Sequence, residues 1–557
     1  MVEEAGIMRY DLLLRNGRVL DGTGSPGFDA DVAVQGGKIA RIGKLEDAEA
    51  DRVIDVGGHV IAPGFIDIHS HCDFILPLPD QAEFLRHFVA QGITTIVTGN
   101  CGYAPAPINP ATAPLMQAYT AFIKPRDLEW HWRTFGEWLT YLETHGVYMN
   151  TVPLAAHGAL RIAAMGFDAR APNDEELATM KAHLRECLES GAFGLSSGLI
   201  YAPGSNSTTD ELAALSTELT PFDAIYTSHV RGSSETLLPA AEEVVAVARA
   251  GGIRVQHSHL EGFGKRFWPN VERVLALHEQ TRRDGIDHGF DVIPYTAANT
   301  TFLAILPPWS LDGGIPKLLE RLRDPATRKR IKRDIEQVIP QWPTWRPGGW
   351  PHNLVEATGW DNVWIMWVES EDNKSFEGKS LALLAEETGK DPFDVAADLI
   401  LAEQGHVTAL YLGVSGDLHE EWALRQILQH PNASIETDAF SLGRGKPHPA
   451  LYGSFPKVLG QYVREEKLMT LEDAVRKMTS LSADRFHLTD RGRLREGFWA
   501  DITVFDPDSV WDHTTYLEPD LRPSGIEYVI VNGAVIVDRG TVDTGTLAGK
   551  VVRAQGA

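Results

Sequence analysis

Six residues in this chain have the types and placement that hold a metal ion and move a proton. His69-Ser70-His71 follows the apolar run Pro63-Gly64-Phe65-Ile66-Asp67-Ile68. On an extended strand, residues two apart point to one face about 7 Å from each other, so both imidazoles project together while Ser70 turns away. A lone His-Xaa-His is more often incidental than ligating. Its company changes the reading, because Cys101, His229, His259 and Asp438 each stand at or just beyond the end of another short apolar run. Imidazole and thiolate suit Zn²⁺, and a carboxylate beside the ion can shuttle a proton. The chemistry such a set supports is metal-assisted hydrolysis, which needs a strong nucleophile, a polarised carbonyl and a proton for the departing group.

Each residue also has a bland reading. Cys101, in Thr98-Gly99-Asn100-Cys101-Gly102, fits a small buried hydrophobe, the usual fate of a free cysteine. His229 fits a core histidine with satisfied hydrogen bonds. His259 competes with His257, two positions earlier, as ligand or as a partner supporting one. Asp438 fits a cap on the segment that follows it. Singly, each is more readily structural than functional; together on one rim, they point to a metal site.

Strands must bring these residues together. From Phe65 onward the chain alternates short apolar strands with helical stretches, which argues for a parallel α/β sheet. Eight strand candidates run from Phe65 to His71, Thr94 to Cys101, Thr151 to His157, Ala192 to Gly198, Ile225 to His229, Ile253 to His259, Gly289 to Tyr295 and Ser434 to Asp438. Eight such units predict a TIM-type (β/α)8 barrel over residues 63-485, whose functional groups gather at the C-terminal strand ends. The gap before the eighth strand is too long for one unit and predicts an insertion at about 300-372 that acts as a lid, with a helix from Ile315 to Val338 and a stretch containing Trp342, Trp345 and Trp350. Those indoles fit pocket lining and packing equally well. Before residue 63 and after residue 486 the grammar is hairpins, with turns at Asn16-Gly17, Gly36-Gly37 and Asn532-Gly533. Each terminal piece is too small to bury a sheet by itself, so residues 1-62 and 486-557 are expected to form one composite β-sandwich.

Composition narrows the classes. Of the 557 residues 43% are hydrophobic and 23% charged, the values of a globular domain. A formal charge of −25 repels phosphate backbones and anionic membranes, so neither nucleic acid nor a membrane surface is an expected partner. Three cysteines argue against a disulfide framework, and the acidic N-terminus has no secretory apolar stretch. The expected location is cytoplasmic. Helical barrel exteriors pair readily, and the sequence leaves a homo-oligomer open.

These motifs carry a resemblance. Ala62-Pro63-Gly64-Phe65-Ile66-Asp67-Ile68-His69-Ser70-His71, Gly99-Asn100-Cys101-Gly102, the run from Gly194 to Gly204, Ser228-His229-Val230-Arg231-Gly232, Ser258-His259-Leu260, Asp291-Val292-Ile293-Pro294-Tyr295, Thr437-Asp438 and His448-Pro449 resemble the amidohydrolase superfamily and, within it, the N-acyl-D-amino-acid deacylase (D-aminoacylase) family, over nearly the whole chain. The resemblance implies that Cys101, His229 and His259 hold one tightly bound Zn²⁺, with His69 and His71 forming a weaker second position beside Asp438. It implies Asp438 as base and then acid, and Tyr201 as a hydrogen-bond donor near the scissile group. The cysteine replaces the carboxylated lysine that bridges metals in many other amidohydrolases.

The departures concern the substrate. Where relatives place a lysine two residues after the strand-six histidine, this chain has Glu261; a tyrosine is replaced by Ile293, a serine by Asn299, and the arginine after His448-Pro449 by Ala450. The family groups bind the substrate's free carboxylate through charge-assisted bonds. Their joint loss predicts a small neutral or aromatic amide, carbamate or lactam-like substrate, contacted by Tyr201, Glu261, Ile293, Asn299 and His448, rather than a simple N-acyl-D-amino acid. Lys265, Arg231 and Arg444 are the candidates for a replacement clamp, and with one the chain would be a true N-acyl-D-amino-acid deacylase. Readings of other kinds are a catalytically inactive amidohydrolase-like interaction scaffold, and deamination of a ring substrate.

Overall fold

The structure, a computed structural model, describes residues 9–346 and 349–554. Eight parallel strands form its centre: β1 (Phe65–Asp67), β2 (Ile93–Thr98), β3 (Asn150–Pro153, continued by Ala155–Ala156), β4 (Gly194–Gly198), β5 (Ile225–His229), β6 (Val255–His257), β7 (His288–Val292) and β8 (Ala433–Ile435). Pairing runs from β1 through β2 to β3, and from the end of β3 through β4, β5, β6 and β7 to β8. The ring closes where Ser70 pairs with Ala439 and the His71 amide donates to the Ala439 carbonyl at 3.0 Å. Strands enclosed on both faces read as continuous apolar runs, and every residue of β2 is buried. The surrounding helices bury one stripe each, as Met180, Leu184, Cys187 and Leu188 do on Asp174–Glu189, which starts at an Asn173 capping box with Glu176.

Most strands are shorter than their apolar runs suggest. The run from Thr94 to Cys101 leaves the ladder after Thr98, and that from Ile253 to His259 after His257. The remaining residues turn over the barrel rim, and this is where the chemistry-bearing side chains sit.

The terminal segments join in one nine-stranded sheet. Ile502–Phe505 lies antiparallel to Val60–Pro63 and carries the C-terminal strands onto the N-terminal hairpins. Leu12, Leu14, Val32 and Val34 from one end share a core with Ile502, Val504 and Ile530 from the other.

The insertion is larger than the sequence gap indicates. It begins at Ala297–Thr301 and ends at Val407–Leu412, and the latter is the central strand of a separate three-stranded antiparallel sheet, flanked by Ala297–Thr301 and Val363–Val368. It has its own apolar core, including Phe302, Leu318, Ile331, Leu354 and Ile400. The helix expected from Ile315 to Val338 is two helices, Ile315–Arg323 and Pro325–Gln337. Pro325 cannot continue a preceding helix, and Asp324 caps the new one by accepting from the Thr327 amide at 2.8 Å. Of the three tryptophans, Trp350 is buried in the insertion core, while Trp345 packs beneath the Arg231 guanidinium at 4.8 Å and edge-on to Trp342. Among the described residues no helix is long and apolar enough to cross a membrane, and Cys72, Cys101 and Cys187 are all free thiols.

Candidate metal centre

The side chains of His69, His71, Cys101, His229, His259 and Asp438 meet inside the C-terminal mouth of the barrel, all of them buried. His69 and His71 lie just past β1, and the alternation holds there: Ser70 Oγ turns away to donate to the Val97 carbonyl at 3.0 Å. His229 closes β5. Cys101, His259 and Asp438 sit in tight turns with φ of 51°, 36° and 48°, left-handed values that cost a non-glycine residue energy and persist only where the surroundings enforce them. Ser196 on β4 enforces the first turn, accepting from the Gly102 amide at 3.1 Å and donating to the Gly99 carbonyl. Gly198 makes room for it, since a Cβ there would lie 2.1 Å from the Cys101 carbonyl oxygen.

Two of the groups that could hold a metal ion include Cys101 Sγ. In the first, Sγ stands 3.7 Å from His229 Nδ1 and 3.6 Å from His259 Nε2. Tetrahedral Zn²⁺ with its usual bond lengths to sulfur and nitrogen separates such atoms by about 3.6 Å, so this trio fits the ion. In the second, Asp438 Oδ1 lies 3.3 Å from His69 Nε2 and 3.2 Å from His71 Nε2, and His69 Nε2 lies 3.2 Å from Sγ. Burial, then Asp438, Glu436, Asp291 and Glu261 in turn, push the Cys101 thiol well above its usual range, whereas a metal ligand must be a thiolate.

A further carboxylate layer orients the ligands. Glu261 Oε1 lies 3.5 Å from His259 Nδ1, which leaves Nε2 for the metal side. Glu436 Oε2 and Asp291 Oδ1 face His69 Nδ1 at 3.2 and 3.5 Å. Asp291 also accepts from the His259 amide at 2.5 Å and so holds the left-handed turn. Asp67 accepts from the Thr437 amide at 3.0 Å and its hydroxyl at 2.6 Å, fixing the residue before Asp438. Burial and the neighbouring Asp291 push the Glu436 carboxyl well up. Burial pushes Asp438 in the same direction, but His71, His69 and His259 outweigh it and hold its pKa at about 2.

The other expected residues divide. Tyr201, Glu261 and Asn299 line a cavity of about 360 Å³ beside His229, His259 and Asp438. Tyr201 accepts from Thr300 Oγ1 at 2.9 Å, which leaves its own proton to donate. Ile293 and His448 are not on this wall. Ile293 packs with Tyr295 and Ala450 behind Glu261, and His448 is taken up by the Ala297 carbonyl at 3.1 Å and the Ala450 amide at 3.0 Å. His257, the rival of His259, stacks on His278 outside the mouth because the left-handed turn at His259 breaks the strand alternation.

None of the candidate replacement cations reaches the cavity. Arg231 is bound to Glu243 at 2.8 Å, Lys265 pairs with Glu420 and Asp417 on the surface, and Arg444 lies over the Trp367 ring at 3.9 Å. Among the described residues no lysine or arginine lines it. The insertion contributes a residue the sequence reading did not single out, His352, whose buried Nε2 has no hydrogen-bond partner. Asp291 and Glu436 were not singled out as site residues either. Their signal was present, since a carboxylate inside a buried apolar strand is costly unless it is engaged.

The chain is similar to known proteins over most of its length. The model of the amidohydrolase family matches residues 379–537. The N-acyl-D-glutamate deacylase of Alcaligenes xylosoxydans xylosoxydans is 34% identical over 95% of this chain and 94% of its own length. The D-aminoacylase of the same organism is 33% identical over 98% of this chain and 97% of its own. The crystal structure of N-acyl-D-glutamate deacylase from Bordetella bronchiseptica, complexed with zinc and a phosphonate mimic of the tetrahedral intermediate, superposes with a TM-score of 0.78 at 32% identity, covering 98% of this chain and all of that one.

Proposed function

The chain belongs to the D-aminoacylase family of amidohydrolases, and from that premise we propose that it is a zinc-dependent hydrolase of an amide-type C–N bond whose leaving amine carries no free carboxylate. The observation that carries the proposal is the pairing of a Cys101, His229 and His259 trio at tetrahedral zinc spacing with a cavity that presents Glu261 and, among the described residues, no lysine or arginine.

Cys101, His229 and His259 would hold one Zn²⁺, and His69, His71 and Asp438 offer a second position that shares Cys101. When bound, zinc supplies a Lewis acid for the carbonyl and brings the pKa of water down to about 7. Asp438, ionised at neutral pH, takes a proton from the attacking water. The water oxygen bonds to the carbonyl carbon, the C–N bond breaks, and Asp438 passes the proton to the departing nitrogen, giving a carboxylic acid and an amine. Tyr201 donates toward the oxygen that gains charge.

The substrate class follows from electrostatics. A substrate carboxylate beside Glu261 would be desolvated next to a like charge, whereas amide or amine N–H groups would find acceptors in Glu261 and Asn299. The test compares N-acetyl-D-alanine with N-acetyl-D-alaninamide on zinc-loaded enzyme. Preference for the carboxamide is expected. Preference for the free acid supports the second reading, an N-acyl-D-amino-acid deacylase, which the identity to the glutamate deacylase favours. Release of ammonia from N-acetyl-D-alaninamide would show that the terminal carboxamide, and not the N-acyl bond, is cut. A chain that binds no zinc and hydrolyses neither compound would support the scaffold reading.

A further inference from the structure

A second, larger cavity adjoins the metal-site cavity and has the opposite character. It spans about 840 Å³, its open mouth included, and shares two wall residues with the first, Ile200 and Tyr201. Its lining is aromatic and aliphatic, with Tyr103, Tyr119, Phe122 and Phe167 on one side and Leu303 and Leu311 from the insertion on the other. The rings form a ladder that begins at the metal ligands. Tyr201 lies 4.9 Å from His229 and 5.4 Å from Tyr103, which is edge-on to His71 at 6.0 Å. Tyr103 stacks on Tyr119 at 4.4 Å and meets Phe122 at 5.4 Å, and Tyr119 meets Phe167 at 5.9 Å.

Asp438 and Tyr201 both line the metal-site cavity and Tyr201 also lines the apolar one, so a carbonyl held beside these two residues sends the two arms of its amide into different cavities. One arm enters a wall of unpartnered polar atoms, Asn299 Oδ1 and His352 Nε2, beside Glu261. The other enters a space where a polar group would lose water and find almost no partner. We propose that the apolar cavity binds the acyl arm of the substrate, and that this arm is a medium-chain aliphatic group of six or more carbons. The polar cavity is left to the amine arm and its N–H groups. This assignment rests on the amide-hydrolase reading, but it does not depend on whether the leaving amine carries a carboxylate.

The test uses the full zinc-loaded chain with N-acetyl, N-butanoyl, N-hexanoyl and N-octanoyl derivatives of both D-alanine and D-alaninamide. Burial of each methylene should raise kcat/KM about fourfold, or about two hundredfold from butanoyl to octanoyl, on whichever leaving group is accepted. Ala118→Trp, which fills the cavity from its wall, should lower the octanoyl-to-acetyl ratio at least tenfold. A flat series, or a ratio indifferent to Ala118→Trp, would overturn the assignment, as would a preference for acetyl groups on long-chain amines. Calorimetry with octanoate and acetate gives a readout without turnover. Octanoate should bind at least thirtyfold tighter than acetate to the wild-type chain and lose that advantage in Ala118→Trp; equal affinities would overturn the proposal. A failed leaving-group reading shows itself separately, as preference for D-alanine over D-alaninamide at every chain length.

Discussion

Glu261→Gln isolates the charge on which the proposed substrate class rests. The side chain is buried on the cavity wall, with Oε1 taken by His259 Nδ1 at 3.5 Å and Ser233 Oγ at 3.4 Å. Burial pushes the Glu261 carboxyl up while His259 and Ser233 pull it back down, and in its ionised form it repels a substrate carboxylate about 4 Å away, at an effective dielectric of about 20, by about 4 kcal/mol, close to three powers of ten in kcat/KM. Glutamine removes that charge and keeps an oxygen for His259, so the metal ligand stays oriented. The assay is the ratio of kcat/KM for N-acetyl-D-alanine to that for N-acetyl-D-alaninamide, measured with zinc content checked in each preparation. The ratio should rise about a hundredfold or more in Glu261→Gln, and Glu261→Lys should raise activity on the free acid further. A ratio that moves less than about threefold in both variants would refute the reasoning, because Glu261 would then not be felt by the leaving group.

Two other predictions concern different parts of the molecule. Asp438→Asn should lower kcat by about 10² to 10⁴ while the zinc held by Cys101, His229 and His259 is retained; full activity would remove Asp438 from proton transfer. Glu211 is buried, where desolvation alone would raise its pKa, but hydrogen bonding from His157 and the charge of Arg161 bring it from 4.5 down to about 2. A depressed carboxyl stabilises the fold above its unfolded pKa and loses that contribution as pH falls through the folded one. Glu211→Gln should therefore cost about 3 kcal/mol near pH 7, a gap that closes between about pH 4.5 and pH 2 in denaturant titrations; a gap independent of pH would contradict the assignment.

Periodicity made part of this architecture legible. β2 and β5 read as buried strands because enclosed parallel strands carry apolar residues on both faces, and Ser70 reads as turned away because alternation survives the end of β1. Alternation misleads at Cys101, His259 and Asp438, whose left-handed turns are set by contacts from other strands, such as Ser196 under Cys101 and Asp291 under the His259 amide. The same cause hides His352. It reaches the cavity because the insertion folds on its own core across the barrel mouth, and nothing local in Pro351-His352-Asn353 announces a wall residue. Ile293 and His448 point away from the cavity for a comparable reason, since the direction of a side chain in a loop depends on what it packs against. The two-helix break was readable in Asp324-Pro325, where a cap precedes a residue that cannot extend a helix.

The central claim is that Cys101, His229 and His259 hold a zinc ion that amide hydrolysis requires. The most direct test measures metal content and hydrolysis of N-acetyl-D-alaninamide on the same preparation, before and after chelation, in the wild-type chain and in His229→Asn. At least one zinc per chain is expected in the wild type, with activity lost on chelation and regained with zinc, and with both zinc and activity lost in His229→Asn. Undiminished hydrolysis by metal-free protein, or zinc retained in full by His229→Asn, would contradict the account.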